Sequence, residues 1–191
     1  VLEAIRNDGD AVQYADDSLK ADREFMLEAV SIHGWALGVA DDTLMADRDF
    51  VLEAVKIDGD GFFYADDALK ADRDFVLEAV KNSQSCFSAL EYADDTLKAD
   101  REVVLEAVKI DGIALEYASA TLKADREVVL EALKNNGYTL RYGDIRGISS
   151  ALEYADDTLK ADREVVLEAV RNDGNALQYA SDTLKADREV V

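Results

Sequence analysis

The chain has 191 residues, 49% of them apolar, which is enough to bury a core despite 33% charge and argues against disorder. A formal net charge of −21 argues against nucleic acid and anionic membrane as partners, because phosphate and lipid headgroups want a basic face. Proline is absent, the single cysteine (Cys86) has no partner for an internal disulfide, and the apolar runs are too short to span a bilayer.

Read in chain order, the sequence is one sentence repeated. It opens at VLEAI, inside an element, so residues 1–21 read as a copy lacking its opening. The pair Asp-Arg then recurs at Asp22, Asp47, Asp72, Asp100, Asp125, Asp162 and Asp187, at spacings of 25, 25, 28, 25, 37 and 25. The copies are therefore 22–46, 47–71, 72–99, 100–124, 125–161 with an insertion, and 162–186, with 187–191 the opening of another. The expectation is a single array of about seven copies, cut from a longer one. Each full copy carries a net charge of about −3, so the acidity is spread over the whole surface rather than held in a tail.

Within a copy the pattern predicts two short helices. Asp100 is placed to cap the first, Glu102 adds acid to its first turn, VVLEAVK supplies the apolar stripe and Gly112 reads as the stop. Val103, Val104, Ala107 and Val108 share a face, widened by Leu105. The second helix starts after the glycine, with Ala114, Leu115, Ala118 and Leu122 inward, and Ser119 or Ser181 in place of Asp suggests a break within it. Neither helix is long enough to be stable alone, so stacked copies must share the core. The fold class read from this pattern is all-α: an α-solenoid, or superhelical stack, of 25-residue two-helix repeats. Tyrosine recurs at one position (Tyr14, Tyr64, Tyr92, Tyr117, Tyr154, Tyr179) and reads as packing between copies with hydroxyls reaching an edge.

The string DREVVLEAVRNDGNALQYASDTLKADREVV, from Asp162 onward, resembles the short repeats of bacteria and protists known as domain of unknown function forty-one-sixteen. The resemblance covers essentially the whole chain. It implies tandem helical arrays, usually within larger proteins, and an interaction role; it brings no catalytic residues.

Departures from the repeat gather at the corner between the two helices. The second copy carries Ile32, His33 and Trp35, and the third has Gly61 with Phe62, a size exchange within the core, followed by Phe63 at a position of Gln or Glu elsewhere. An insertion in the fourth copy, Ser83 to Ser88, brings Cys86 and Phe87. A longer one in the sixth, Tyr138 to Ser150, brings Tyr138, Arg141, Tyr142 and Arg146. Aromatics with arginine nearby have the composition of protein-binding hot spots, so these nine residues (Trp35, Phe62, Phe63, Cys86, Phe87, Tyr138, Arg141, Tyr142 and Arg146) form the candidate partner-binding edge.

Chemistry is not signalled. KIDGDGFFYADD, from Lys56, mimics a calcium loop, but from Asp58 the fifth and sixth places are Phe62 and Phe63, and the twelfth is Leu69. Other copies replace Asp60 with Trp35, Ile113 or Asn175, so it is not a repeated ligand. His33 is the only histidine, and Cys86 has no His near it in sequence. No enzyme activity, cofactor or dedicated metal site is expected. The leading expectation is a non-catalytic interaction or scaffold module for a protein partner, possibly a basic one given the charge. Alternatives are an acidic spacer rod, or loose divalent-cation binding by ladders of the Asp-Asp pairs. A soluble chain in a reducing compartment fits the lone cysteine and the lack of a visible signal or membrane segment.

Overall fold

A computed structural model describes residues 1–82, 86–135 and 150–190, the side chains of 86–88 excepted. Each copy is built outward from its Asp-Arg pair. Asp100 is in extended conformation, and its carboxylate accepts the N–H groups of Glu102 at 2.9 Å and Val103 at 3.2 Å, starting the helix Arg101–Ile110. Asp22, Asp47, Asp125 and Asp162 cap their helices in the same way. The stripe of Val103, Val104, Ala107 and Val108 is fully buried and Leu105 partly so, as the spacing predicts. Burying each valine contributes on the order of 1.5–3 kcal/mol, which the capped helix alone could not supply.

After the long helix the structure departs from the expected pair of helices. Most copies contain three helical pieces: the long α-helix, a six-residue 3-10 helix such as Gly112–Tyr117, and a four-residue α-helix such as Ala120–Lys123. The break falls at Ala118 and Ser119, both extended, so Ala118 and Leu122 reach the core from separate elements. Ser119, or the first aspartate of each Asp-Asp pair, makes the break in two ways. Its side chain caps the short helix, as Asp41 does for Thr43 at 2.9 Å. Its N–H donates to the preceding copy: Asp41 to Lys20, Asp66 to Met45, Ser119 to Lys98 and Ser181 to Lys160, at 2.9–3.1 Å. That backbone bond runs copy to copy, which is why Asp and Ser interchange there.

The corner glycine is also not the helix stop it resembles. The helix ends on Asp111, in extended conformation, whose Oδ1 accepts from Ile113 N–H and starts the 3-10 helix. Gly112 is needed because the next copy comes close. Its N–H donates to Asn135 O at 2.8 Å, and a Cβ on it would lie 1.9 Å from Ala132 O. At Gly34 the room is filled by the Asp58 carboxylate of the next copy, 1.3 Å from where a Cβ would stand.

The chain divides into two compact units, Val1–Asp94 and Asp95–Val191. In the first, the long helices Leu2–Asn7, Arg23–Ile32, Arg48–Ile57 and Arg73–Asn82 pack in sequence order, and the 3-10 helices Gly9–Tyr14, Gly34–Val39 and Gly59–Tyr64 stack beside them. The α-helix Cys86–Tyr92 takes the next place in that row. In the second unit Arg101–Ile110, Arg126–Lys134 and Arg163–Asn172 pack likewise, and Ala151–Tyr154 lies between the 3-10 helices Gly112–Tyr117 and Gly174–Tyr179. The fold is all-α and repetitive, with no strand among the described residues.

An arginine ladder, not read from the sequence, also joins the copies. Arg23, Arg48, Arg101, Arg126 and Arg163, each following a capping Asp, reach carboxylates of the next copy, by two routes. In the first unit Arg23 lies 5.7 Å from the Phe50 ring centre and bonds Glu53 at 2.9 Å; Arg48 lies 5.9 Å from Phe75 and bonds Glu78 at 2.8 Å. In the second, valine replaces the phenylalanine, and Arg101 bonds Asp125 at 2.9 Å together with Glu127. Arg126 and Arg163 repeat this with Asp162 and Glu164, and with Asp187 and Glu189. A phenyl face carries the guanidinium one turn along the neighbouring helix; without it, the longer first-turn Glu reaches the charge.

Candidate functional site

The 3-10 helices set out the candidate edge. Side chains three apart eclipse in a 3-10 helix, so its second and fifth residues form one short row, and stacked copies turn rows into columns. In the second unit the fifth place is polar, and in two copies it is paired. Glu153 accepts a hydrogen bond from the Tyr179 hydroxyl of the following copy, and burial together with this carboxylate pushes the Tyr179 pKa up to about 12. Glu116 faces Lys123 of its own copy, whose pKa burial lowers and Glu116 partly restores. A carboxylate at the fifth place thus serves its own lysine in the fifth copy and the next copy's tyrosine in the sixth, while the first and seventh copies carry Gln13 and Gln178 there.

The second and third copies abandon that arrangement. The fifth place is Gly38 and then Phe63, the tyrosine place of the second copy is Val39, and its lysine place is Met45, which is buried. Gly38 makes room for the next copy's Tyr64, whose Cε1 lies 2.5 Å from where a Cβ would stand. Phe63 then packs edge-on against Tyr64, with centroids 4.9 Å apart, and against Tyr92 of the fourth copy at 4.8 Å. Lys70 keeps its place, but its ammonium now stands 5.9 Å from the Phe63 centroid instead of beside a glutamate. Trp35 stands three residues before Gly38 on its 3-10 helix, in the same row. Phe63 remains 49% exposed and Trp35 38%, so both face solvent.

This geometry sorts the nine candidate residues. Trp35 and Phe63 lie on the edge as expected. Phe62 does not: it is fully buried and stacked on Phe75 at 5.7 Å, so it belongs to the core and leaves the partner-binding set. Its size exchange with Gly61 is real, since a Cβ on Gly61 would stand 3.1 Å from Leu37 Cδ2. Successive residues of a 3-10 helix point about 120° apart, so neighbouring phenylalanines divide between inside and outside. The side chains of Cys86 and Phe87, and all of Tyr138, Arg141, Tyr142 and Arg146, lie outside the described residues. Tyr64 and Tyr92, read from the sequence as packing between copies, join the edge through Phe63; Gly38 and Lys70 were missed, although the column that shows Phe63 in place of Gln or Glu also shows Gly38.

The acids have structural work elsewhere. Asp58 Oδ1 accepts from Asp60 N–H at 3.1 Å, an Asx turn at the corner rather than half of a calcium loop. The second members of the Asp-Asp pairs, Asp42 excepted, meet lysines three residues on, as in Asp95 with Lys98 at 3.3 Å and Asp157 with Lys160 at 3.6 Å. Among the described residues no group of three or more His, Cys, Asp and Glu side chains is arranged to hold a metal ion, and no helix is long and apolar enough to cross a membrane. His33 replaces a corner aspartate, and its ring lies over Gly9 of the preceding copy, 2.8 Å from where a Cβ would be.

A family model described as a domain of unknown function (DUF4116) matches five times in tandem, at residues 1–45, 47–98, 84–123, 100–144 and 145–185. Neither a curated protein nor a solved structure matches the chain.

Proposed function

The chain belongs to the DUF4116 family, described as a domain of unknown function, and on that premise we propose that it is a non-catalytic docking module whose aromatic edge holds a protein partner. The observation that carries this reading is the exchange of a polar place (Gln13, Glu91, Glu116, Glu153 and Gln178 in other copies) for Gly38 and the half-exposed Phe63, with Trp35 exposed on the second copy. Half-exposed aromatics that pack on one another lose little side-chain entropy on binding, which is the behaviour of hot-spot residues. Replacing Trp35 by Asn and Phe63 by Glu, residues found at those places in other copies, tests it in the full-length protein. Partners that co-purify with the natural protein are expected to be lost from the Trp35→Asn/Phe63→Glu variant; their retention would overturn the reading.

A second reading, an acidic spacer rod, draws support from the arginine ladder and the copy-to-copy backbone bonds, which join copies through the same groups within each unit. It predicts that exchanging the whole third copy for the fifth leaves function intact, whereas docking on the edge does not survive that exchange.

A further inference from the structure

One lysine of the array has lost the acids that accompany it in other copies. The short helix ends on Lys20, Lys70, Lys98, Lys123, Lys160 or Lys185, and on Met45 in the second copy. Five of these lysines meet an aspartate three residues before them: Lys20 with Asp17, Lys70 with Asp67, Lys98 with Asp95, Lys160 with Asp157 and Lys185 with Asp182, at 3.3–3.8 Å. The fifth copy has Ala120 in the aspartate's place, so that ion pair is lost, and Ser119 replaces the capping acid before it. The carboxylate left to Lys123 is Glu116, on the 3-10 helix of its own copy. Lys123 is nevertheless partly buried, like its counterparts Lys98 and Lys160. Burial disfavours the ammonium and lowers its pKa, and Glu116 restores only part of the difference. Desolvation without a full opposing charge is how a lysine comes to hold the unprotonated, nucleophilic amine.

Independently of the docking edge in the first unit, we infer that Lys123 is a covalent modification site, an amine that takes the acyl group of an uncharged acyl thioester. Its Nζ attacks the carbonyl carbon; the N–C bond forms as the C–S bond breaks, and the proton shed by nitrogen leaves with the sulfur as a thiol. A donor carrying phosphates is disfavoured, because a net charge of −21 repels anions. The product removes the charge of one side chain and leaves the backbone bond from Asp156 N–H to Lys123 O, 2.9 Å long, between the fifth and sixth copies.

The test is acetylation of the full-length protein by a neutral thioester, S-acetyl-N-acetylcysteamine, near neutral pH, followed site by site by peptide mass spectrometry. Lys98 and Lys160 are internal controls, at the same place in neighbouring copies and equally part-buried. Lys123 is expected to acetylate severalfold faster than either. Ala120→Asp introduces the residue of the other six copies at an exposed position, so the fold should be kept, as circular dichroism would show. It is expected to slow Lys123 to the rate of the controls. Equal rates at the three lysines of the unaltered chain would overturn the inference. A fast Lys123 that Ala120→Asp leaves unchanged would overturn it too, by tracing the rate to access rather than to the missing carboxylate.

Discussion

Adding one methyl group at Gly112 should separate two copies. An alanine Cβ there would lie 1.9 Å from Ala132 O and 2.8 Å from Ala132 C, both backbone atoms at the end of a packed helix. Neither can rotate away, so relief requires the corner and the neighbouring helix to part by about 1 Å, a gap that forfeits a quarter to a half of the dispersion energy across the contact. The displaced surfaces include Ile113, Ala114 and Leu115 on one side and Ala132 and Leu133 on the other, all buried. The Gly112 N–H to Asn135 O bond, 2.8 Å long, is stretched as well. Losing that bond costs about 1 kcal/mol, and a packing defect of this kind a further 1–3 kcal/mol, so Gly112→Ala should destabilise by about 2–4 kcal/mol. In urea unfolding followed by circular dichroism, the midpoint should fall by about 1–2 M. An unchanged midpoint for Gly112→Ala would refute the close-approach argument.

The Gly61–Phe62 exchange should show coupling. Gly61→Ala alone presses on Leu37, and Phe62→Leu alone leaves a gap against Phe75, so the double change to the Ala-Leu of other copies should cost less than the two added together, by about 0.5–3 kcal/mol in a double-mutant cycle. Acid should weaken the stack through its capping aspartates. Hydrogen bonds from Ser18, Thr43 and Thr158 hold the carboxyls of Asp16, Asp41 and Asp156 below the usual range. A lowered folded-state pKa gives stability that is complete above the unfolded value, about 3.9, and is lost as pH falls through the folded value; urea midpoints should therefore drop below about pH 4. Tyr179 has the opposite sign: pushed up to about 12 by burial and Glu153, it contributes stability that is lost as pH rises from about 10 through that value. Ultraviolet difference titration should show one tyrosine ionising late, and Glu153→Gln should bring it earlier. Neutralising Arg101 should lower the urea midpoint only slightly, and less at high salt, because its carboxylate contacts are largely exposed.

The sequence by itself determined the repeat length, the capping aspartates, the buried stripe of the long helix, the all-α class and the family. Each rests on interactions within a few residues of chain, where spacing and residue type are enough: a cap reaches two or three residues ahead, and a stripe follows from helical period. It also pointed to Trp35 and Phe63, because a departure from a repeated column is visible without coordinates. Only the tertiary structure decided the rest. Six residues are too few to tell a 3-10 period from an α period, so the second helix came out as two pieces, and Phe62 turned inward while Phe63 turned out. Gly112 looks like a helix stop in a linear reading, but its reason is a carbonyl twenty residues on, at Ala132. The arginine ladder and the Tyr64–Phe63–Tyr92 run likewise join residues of separate copies, and depend on how closely those copies stack. Whether an aromatic packs, pairs or faces solvent is settled by what the neighbouring copy places opposite it, a distance that no local pattern encodes.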